Sequence, residues 1–167
     1  MIELTGFKQS DDSRCGVAVV KTILYYYGID KTEDEIAKRC NHSYEYGCSN
    51  EDIVRALKSY GIGARIYKNS TIDDLEYWTR HKVPVIADIF LSTLETSPTG
   101  HVVIVLGVDK KYVHVYDPYL NKNISVYRSD FMKMWFDWEN TDCIELTTKM
   151  IVRLMIVPYP IRLDKNR

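Results

Sequence analysis

One stretch near the N-terminus constrains the fold of this chain more than any other feature. From Cys15 to Tyr27 the residues are apolar nearly all round, and the stretch ends at Gly28. Glycine is the residue type that most often ends a helix in a left-handed conformation. A helix without a polar face is stable only where other elements cover it on every side. The sequence therefore predicts a central, buried helix that the rest of the chain must cover.

Along the rest of the chain, helical patterns come first and strand patterns second. Capping residues and helical spacing predict helices over residues 32–40, 49–60 and 70–80, with a short helix over 128–138. Strands are predicted over residues 64–67, 83–90, 101–108, 112–117, 123–127 and 150–157, with a hairpin turn at 109–111. With no linker or repeat, this order predicts a single α+β domain over residues 1–167, in which N-terminal helices pack on a C-terminal antiparallel sheet.

Charge and apolar content argue against two classes of function. The formal net charge is −1 and no basic run is present, so we expect no nucleic-acid binding. No apolar run approaches the roughly 18–20 residues that cross a bilayer. Residues 1–9 also lack the basic start and apolar stretch of a secretory signal. We therefore predict a protein that has no membrane span and is located in the cytoplasm.

The cysteines do not form a metal or disulfide pattern. Cys15, Cys40, Cys48 and Cys143 are expected to be free thiols, because the cytoplasm is a reducing compartment. Cys40, His42 and Cys48 suggest zinc, but their C-x-H-x5-C spacing lacks the paired C-x2-C knuckles of structural zinc sites. We expect neither a metal nor another cofactor.

Cys15 stands where a nucleophilic thiol would be activated. It opens the buried helix, where unpaired backbone N–H groups and the positive end of the helix dipole favour thiolate over thiol. Its own N–H can donate to the oxygen of an attacked carbonyl. Gln9 lies six residues earlier, and its side-chain amide is a candidate second donor to that oxygen.

A cysteine nucleophile needs a base and a group that orients the base. Of the four histidines, His42 lies in a polar loop and His81 at the end of an exposed helix. Strand alternation turns His114 away from Asp117. Folding the hairpin sets Asp117 opposite residue 102 or 103, so His101 is its diagonal neighbour, and a one-residue bulge would align them further. His101 and Asp117 are therefore the predicted pair.

Each of these residues, taken alone, is more often structural than functional. A cysteine at a helix start is usually a small buried apolar residue. A histidine that opens an apolar strand usually packs, and Asp-Pro after a strand usually makes a turn. The joint arrangement favours function, since two polar groups flank one helix start and two share one hairpin.

Together these residues resemble a known family. Gln9 and the Cys15-Gly16 pair that opens a helix, then His-Val-Val-Ile-Val-Leu-Gly from His101, then Tyr-Asp-Pro around Asp117, resemble the bacteriocin-processing cysteine endopeptidases, family thirty-nine of the cysteine peptidases. The resemblance covers about residues 7–138. One difference is Val17, where the family usually has proline. Residues 139–167 are then a C-terminal extension that carries the predicted strand at 150–157.

The resemblance implies a papain-like fold and a role for each matching residue. Cys15 corresponds to the nucleophile, His101 to the general base, Asp117 to the acid that orients it and Gln9 to the oxyanion donor. Family members are typically the N-terminal part of transporters that remove double-glycine leader peptides. This chain has no transmembrane or ATPase region, so the implied partners are a peptide or protein substrate and a separate transporter.

We predict a cysteine peptidase that hydrolyses a peptide bond through a thioester on Cys15. Two alternatives stay open at the level of sequence. A catalytically silent papain-like domain would bind a peptide or leader without cutting it. Another acyl transferase or amidase would use the same three catalytic residues on a different acceptor, because fold does not fix the acceptor.

Overall fold

The computed structural model describes residues 1–91, 99–139 and 149–160 of the chain. Within those residues the helices are α1 (Cys15–Tyr26), α2 (Glu33–Arg39), α3 (Asn50–Ser59), α4 (Ile72–Arg80) and α5 (Arg128–Met134). The strands are β1 (Ile62–Tyr67), β2 (Val85–Leu91), β3 (Thr99–Val108), β4 (Tyr112–Asp117), β5 (Lys122–Tyr127), β6 (Phe136–Glu139), β7 (Lys149–Val152) and β8 (Met155–Pro160).

Six of these strands form one antiparallel sheet, in the order β1-β8-β2-β3-β4-β5. β6 and β7 pair separately as a two-stranded antiparallel sheet. The helices come first along the chain, apart from α4 and α5, and pack on the faces of the large sheet. The predicted α+β class, with N-terminal helices on an antiparallel sheet, is confirmed.

The large sheet separates two apolar clusters. Successive residues of a strand face opposite sides, so Ile104 of β3 joins one cluster and Val105 the other. The first cluster contains the buried residues of α1, α2 and α3, while the second contains Leu75 of α4 and Phe131 of α5. The sheet therefore carries the first three helices on one face and the last two on the other.

Helix α1 is the buried helix that its sequence predicts. Eight of its residues are buried, among them Val17, Val20 and Leu24. It ends before Gly28, which adopts φ +80°, a conformation that costs glycine little. The exposed ends of α2, α3 and α4 are fixed locally instead: each begins with a capping box, formed by the residue pairs Thr32 with Glu35, Ser49 with Asp52 and Thr71 with Asp74.

The helix predicted over residues 128–138 is too long. Helix α5 ends at Met134, and the chain turns at Trp135 into strand β6. The indole of Trp135 is buried and donates to the carbonyl oxygen of Leu154 at 2.8 Å, while Arg153 N–H donates to the Trp135 carbonyl at 3.0 Å. Pairing with a distant part of the chain thus overrides the helical spacing of the aromatic residues.

The strand predicted over residues 150–157 is two strands. The backbone breaks at Arg153, which adopts φ +50°, and so divides β7 from β8. β7 pairs with β6, whereas β8 lies inside the large sheet between β1 and β2. The C-terminal segment therefore contributes a central strand, which its position at the end of the sequence does not reveal.

No helix among the described residues is both long and apolar enough to span a bilayer. Cys143, predicted to be a free thiol, lies outside the described residues.

Candidate active site

The N-terminus of α1 is open, and Cys15 is its first residue. Arg14 occupies the N-cap position without a side-chain capping hydrogen bond. The nearby carboxylate oxygen Asp11 Oδ1 accepts from the Ser13 N–H at 2.9 Å and from Ser13 Oγ at 2.6 Å. The first N–H groups of a helix have no intrahelical acceptor, so the positive end of α1 is directed at the Cys15 thiol.

The β3–β4 hairpin carries His101 and Asp117. Its register shifts by one residue, since the paired residues are Ile104 with Tyr116, Val105 with Val115, and Gly107 with His114. Leu106 is thus the extra residue of a β-bulge. Beyond the pair of Ile104 with Tyr116, the same register places Asp117 of β4 opposite Val103 of β3. His101 is two residues from Val103 in β3, so its side chain is on the same side of the sheet. Without the bulge, the two side chains would start from opposite sides.

His101 and Asp117 form a buried hydrogen-bonded pair. Nε2 of His101 lies 3.1 Å from Oδ1 of Asp117, and the side chains are 7% and 8% exposed. The same carboxylate oxygen accepts the backbone N–H groups of Tyr119 and Leu120 at 2.8 and 3.2 Å. Asp117 therefore has its direction fixed by the turn that follows β4 and in turn fixes the ring of His101.

The environment of His101 favours its charged form. Burial disfavours the imidazolium, but hydrogen bonds to Asp117 and Cys15 and the charges of both raise the pKa of His101 to about 9. Burial acts to raise the pKa of Asp117, yet the hydrogen bond and charge of His101 and the two backbone donors lower it overall. With Nε2 bonded to Asp117, the other ring nitrogen is available to Cys15. The three residues can hold a thiolate, an imidazolium and a carboxylate in a row.

Gln9 is buried against the turn after β4. Its backbone N–H donates to the carbonyl oxygen of Pro118 at 3.0 Å, and its side-chain Nε2 donates to the carbonyl of Asp11 at 2.7 Å. The side-chain amide carries two N–H bonds, so one holds it in place and the second can serve another acceptor. A surface depression of about 340 Å³ borders this amide, lined by Lys8, Gln9, Ser10, Asp11, Asp12 and Tyr119.

The three other histidines are hydrogen-bonded to other partners. His114 is turned from Asp117, as strand alternation predicts, and bonds to Oδ2 of Asp109 at 2.8 Å. His81 bonds to the backbone at the end of α4. His42 bonds through Nε2 to Ser13 Oγ at 2.9 Å. His101, by contrast, is hydrogen-bonded to the Asp117 carboxylate, and the Cys15 thiol is near enough to raise its pKa.

Cys40 and Cys48 pack beside α1 and interact with each other. The hydrogen bond to Cys40, together with burial, raises the pKa of Cys48, so this thiol is a poor nucleophile. Both are free in the structure. His42, the third residue considered for zinc, is engaged by Ser13.

Two carboxyl groups near His101, one buried and one partly buried, were not among the residues proposed from the sequence. Asp88 of β2 is 3% exposed and Asp137 of β6 lies against Gly100, the residue before His101. A charged residue inside the otherwise apolar run 85–91 was a signal that could have identified Asp88. No comparable sequence signal marks Asp137, because only the fold brings β6 to this place.

Known proteins resemble this chain in sequence. A family model described as the Peptidase C39 family matches residues 5–138. The SPbeta prophage-derived sublancin-168-processing and transport ATP-binding protein SunT of Bacillus subtilis strain 168 is 29% identical over 131 residues. The match covers 74% of this chain and 17% of SunT, so the chain spans about a sixth of the length of that curated relative.

Solved structures resemble it in fold. The peptidase domain of Streptococcus ComA, a bifunctional ABC transporter involved in a quorum-sensing pathway, superposes with a TM-score of 0.70 at 19% identity, covering 96% of this chain and 99% of that domain. A double-glycine-motif protease from an AMS/PCAT transporter, solved in complex with the leader peptide, gives 0.68 at 17% identity over 95% and 92% of the two chains. At these identities the likeness establishes the fold.

Proposed function

This chain belongs to the peptidase C39 family, whose members are papain-like cysteine peptidases, and we propose that it hydrolyses a peptide bond through a thioester on Cys15. The observation that carries the proposal is the placement of His101, which hydrogen-bonds to Asp117 and lies near enough to Cys15 for that thiol to raise its pKa. Such an arrangement is what a cysteine acyl-transfer site requires.

The first half of the reaction makes the thioester. The Cys15 thiolate attacks the carbonyl carbon of the peptide bond, and a carbon–sulfur bond forms while the carbonyl oxygen gains negative charge. The Cys15 backbone N–H and the second N–H of the Gln9 amide donate to that oxygen. The imidazolium of His101 then gives its proton to the leaving nitrogen, the carbon–nitrogen bond breaks, and the amine product departs.

The second half restores the enzyme. Neutral His101 takes a proton from a water molecule, whose oxygen attacks the thioester carbon. The carbon–sulfur bond breaks, the carboxylic acid product leaves, and the thiolate and imidazolium are regenerated. Asp117 keeps Nε2 protonated and the ring in place through both halves, and it stabilises the charged form.

The proposed substrate is a peptide with a double-glycine cleavage site. SunT is named for processing and transport of sublancin-168, and the AMS/PCAT protease is a double-glycine-motif enzyme solved with its leader peptide. We infer the same substrate class here because this chain resembles both proteins and because the family match at residues 5–138 contains Cys15, His101 and Asp117. We further propose that the depression lined in part by Gln9 holds a portion of that peptide.

The proposed partner is a transporter that exports the trimmed peptide. The relative SunT combines processing with transport in one polypeptide, and this chain matches 17% of it. We further propose that processing takes place in the cytoplasm, over one domain that includes residues 139–167. The three described cysteines are free thiols, which fits a reducing compartment, and β8 of the C-terminal segment lies inside the sheet.

A synthetic peptide library tests the proposal. It contains peptides that span a double-glycine site and a matched series in which the two glycines are replaced by alanines. The wild-type protein should cleave after the glycine pair, and mass spectrometry should detect an acyl adduct on Cys15. Cys15→Ala should lose both cleavage and adduct, whereas Cys48→Ser should retain them, since Cys48 faces Cys40 and not His101.

Thiol labelling supplies the second arm of this experiment. At mildly acidic pH, iodoacetamide should modify Cys15 faster than the other cysteines, because Cys15 opens helix α1 and lies beside His101, whose pKa is raised. Faster labelling of Cys40, Cys48 or Cys143 would contradict the assignment of the nucleophile. Saturable binding of the peptides with neither cleavage nor adduct would identify a binding domain instead of an enzyme.

A further inference from the structure

A buried carboxyl group that the proposed reaction does not use lies behind the site. Asp88 is in β2, 3% exposed, and its Oδ2 accepts from Nδ2 of Asn50 at 2.6 Å. Its backbone N–H donates to the carbonyl oxygen of Leu154 at 3.3 Å. The carboxyl group of Asp137 is near enough to shift the pKa of Asp88, and β6 lies against β2, where the rings of Phe136 and Phe90 stack with centroids 5.2 Å apart. Asp88 thus joins β2 to α3, to the residue before β8 and to β6.

A hydrogen bond between two carboxyl groups requires a proton on one of them, because ionised carboxylates only accept. Burial and the neighbouring charge of Asp137 raise the pKa of Asp88 to about 8. Burial raises the pKa of Asp137 as well. Near neutral pH the two groups therefore hold one proton between them and carry a single negative charge as a pair.

This pair adjoins the backbone that carries His101. Asp88 is opposite Val102 in the β2–β3 pairing, one residue from His101. Asp137 packs on Gly100 so closely that a β-carbon there would lie 2.4 Å from its Oδ2. Asp137 is itself held by the Trp138 N–H, which donates to its Oδ1 at 2.8 Å. The residues on either side of His101 thus contact or face the pair.

We propose that Asp88 and Asp137 share one proton and act together as positioning residues for His101, by holding the Gly100–Val102 backbone against β2 and β6. The proposal rests on the proposed role of His101 as proton donor and acceptor. Loss of the shared proton leaves two carboxylates side by side, and their repulsion is relieved when Asp137 moves from Asp88. Because Asp137 packs on Gly100, that movement displaces His101.

The groups that face Asp88 are few among the described residues. The titratable ones are Asp137 of β6 and His101 of β3. The charge of Asp137 raises the pKa of Asp88, and the charge of His101 lowers it. Helix α3 contributes the neutral amide of Asn50, and the segment before β8 contributes a backbone carbonyl. Cys15 of α1 interacts with His101. Ionisation of the Asp88–Asp137 pair should therefore be detected as a change at His101, because His101 is the residue of the site whose charge acts on Asp88.

The test compares wild type with Asp88→Asn and Asp137→Asn, in which an amide keeps the shape but needs no shared proton. The control is Asp73→Asn, on an exposed side chain of α4. In wild type, the ring resonances of His101 in NMR should show an inflection near pH 8 besides its own near pH 9. In a plot of log(kcat/KM) against pH, the alkaline limb should have a slope of about −2 in wild type and about −1 in both variants.

The two readouts separate this proposal from the proposed function. Suppose that the wild type cleaves no peptide, that its His101 resonances show the inflection near pH 8, and that Asp88→Asn lacks this inflection. The proposed pair is then supported and the peptidase assignment fails. If wild type cleaves but the inflection is missing, or both variants keep the wild-type slope, the pair is overturned. Should Asp88→Asn fail to fold, Asp137→Asn decides alone, because Asp137 is only partly buried.

Discussion

At the scale of single residues, the site depends on how His101 is charged. Burial alone would lower the pKa of an imidazole. In His101, the interactions with Asp117 and Cys15 outweigh burial and raise the pKa to about 9. Asp117 is the partner that stays charged throughout, because His101 and the Tyr119 and Leu120 N–H groups lower its pKa overall. The proposed ion pair between Cys15 and His101 therefore depends on a carboxylate that, of these two residues, is hydrogen-bonded to the histidine.

Replacing this carboxylate tests that dependence. Asp117→Asn keeps the size of the side chain but removes its charge and permits the wrong imidazole tautomer, so kcat should fall by up to about 10⁴-fold. The pKa of His101 should drop, moving the alkaline limb of the pH–rate profile below pH 9. Steady-state kinetics across pH would measure both effects.

The hairpin offers a matched control for that variant. Asp109 binds His114 at 2.8 Å, so it forms the same kind of pair outside the site. Asp109→Asn should leave kcat within about twofold of wild type, as for other surface changes. Equal losses in both variants would mean that Asp117 acts through the stability of the hairpin and not through His101.

At the scale of elements, the position of Cys15 depends on how closely α1 approaches the segment before α3. Gly16 allows that approach: a β-carbon there would lie 2.9 Å from Cβ of Cys48 and 3.3 Å from its Sγ. Gly16 follows Cys15 directly, so any shift at this contact moves the nucleophile relative to His101, which belongs to the sheet.

Gly16→Ala should therefore weaken both stability and activity. Overpacking costs about 1–3 kcal/mol, which outweighs the gain of about 1 kcal/mol in helix propensity. Chemical denaturation and kcat would measure the two losses. Cys48→Gly removes the opposing atoms, so the double variant should recover stability relative to Gly16→Ala, with a coupling energy of about 1 kcal/mol. A Gly16→Ala protein as stable and active as wild type would contradict the steric account.

At the scale of the whole molecule, the buried titratable groups set how stability varies with pH. The pKa of His101 is raised in the folded state, so its contribution is full below pH 6.5 and is lost as pH rises through about 9. Asp88 retains a proton that the unfolded chain releases near pH 4, so its folded state loses stability as pH rises to about 8. Asp117 acts oppositely, and its contribution is lost as pH falls through its lowered pKa.

These signs predict a protein that is most stable in mild acid. Between pH 6.5 and 9 the free energy of unfolding should decrease, by at most about 1.4 kcal/mol per pH unit for each proton involved. Urea titrations at several pH values would measure the slope. In Asp88→Asn, the free energy of unfolding should change less with pH below pH 8, because asparagine has no carboxyl proton that the folded state could retain. A free energy of unfolding that stays constant or rises over this range would refute the prediction.

The sequence by itself determined the elements whose signals are local. Capping boxes, the apolar run of α1 and the alternation in β4 identify helices and strands because each depends on neighbouring residues only. The same local signals singled out Cys15 at a helix start and turned His114 away from Asp117. Along the chain, the residue types and their order were enough to predict an α+β fold and a candidate site.

Only the tertiary structure decided the features that depend on distant pairing. Trp135 leaves its helix because the segment at residues 153–154 bonds to it, and β8 enters the middle of the sheet although it comes last in the chain. The bulge at Leu106 aligns His101 with Asp117, and β6 brings Asp137 to Asp88. Hairpin alternation predicted the His101–Asp117 pair and the usefulness of a bulge, but not that the bulge is at Leu106. Contacts between remote segments carry no local periodicity, so no pattern of neighbouring residues indicated Trp135 with Leu154, or Asp137 beside Asp88.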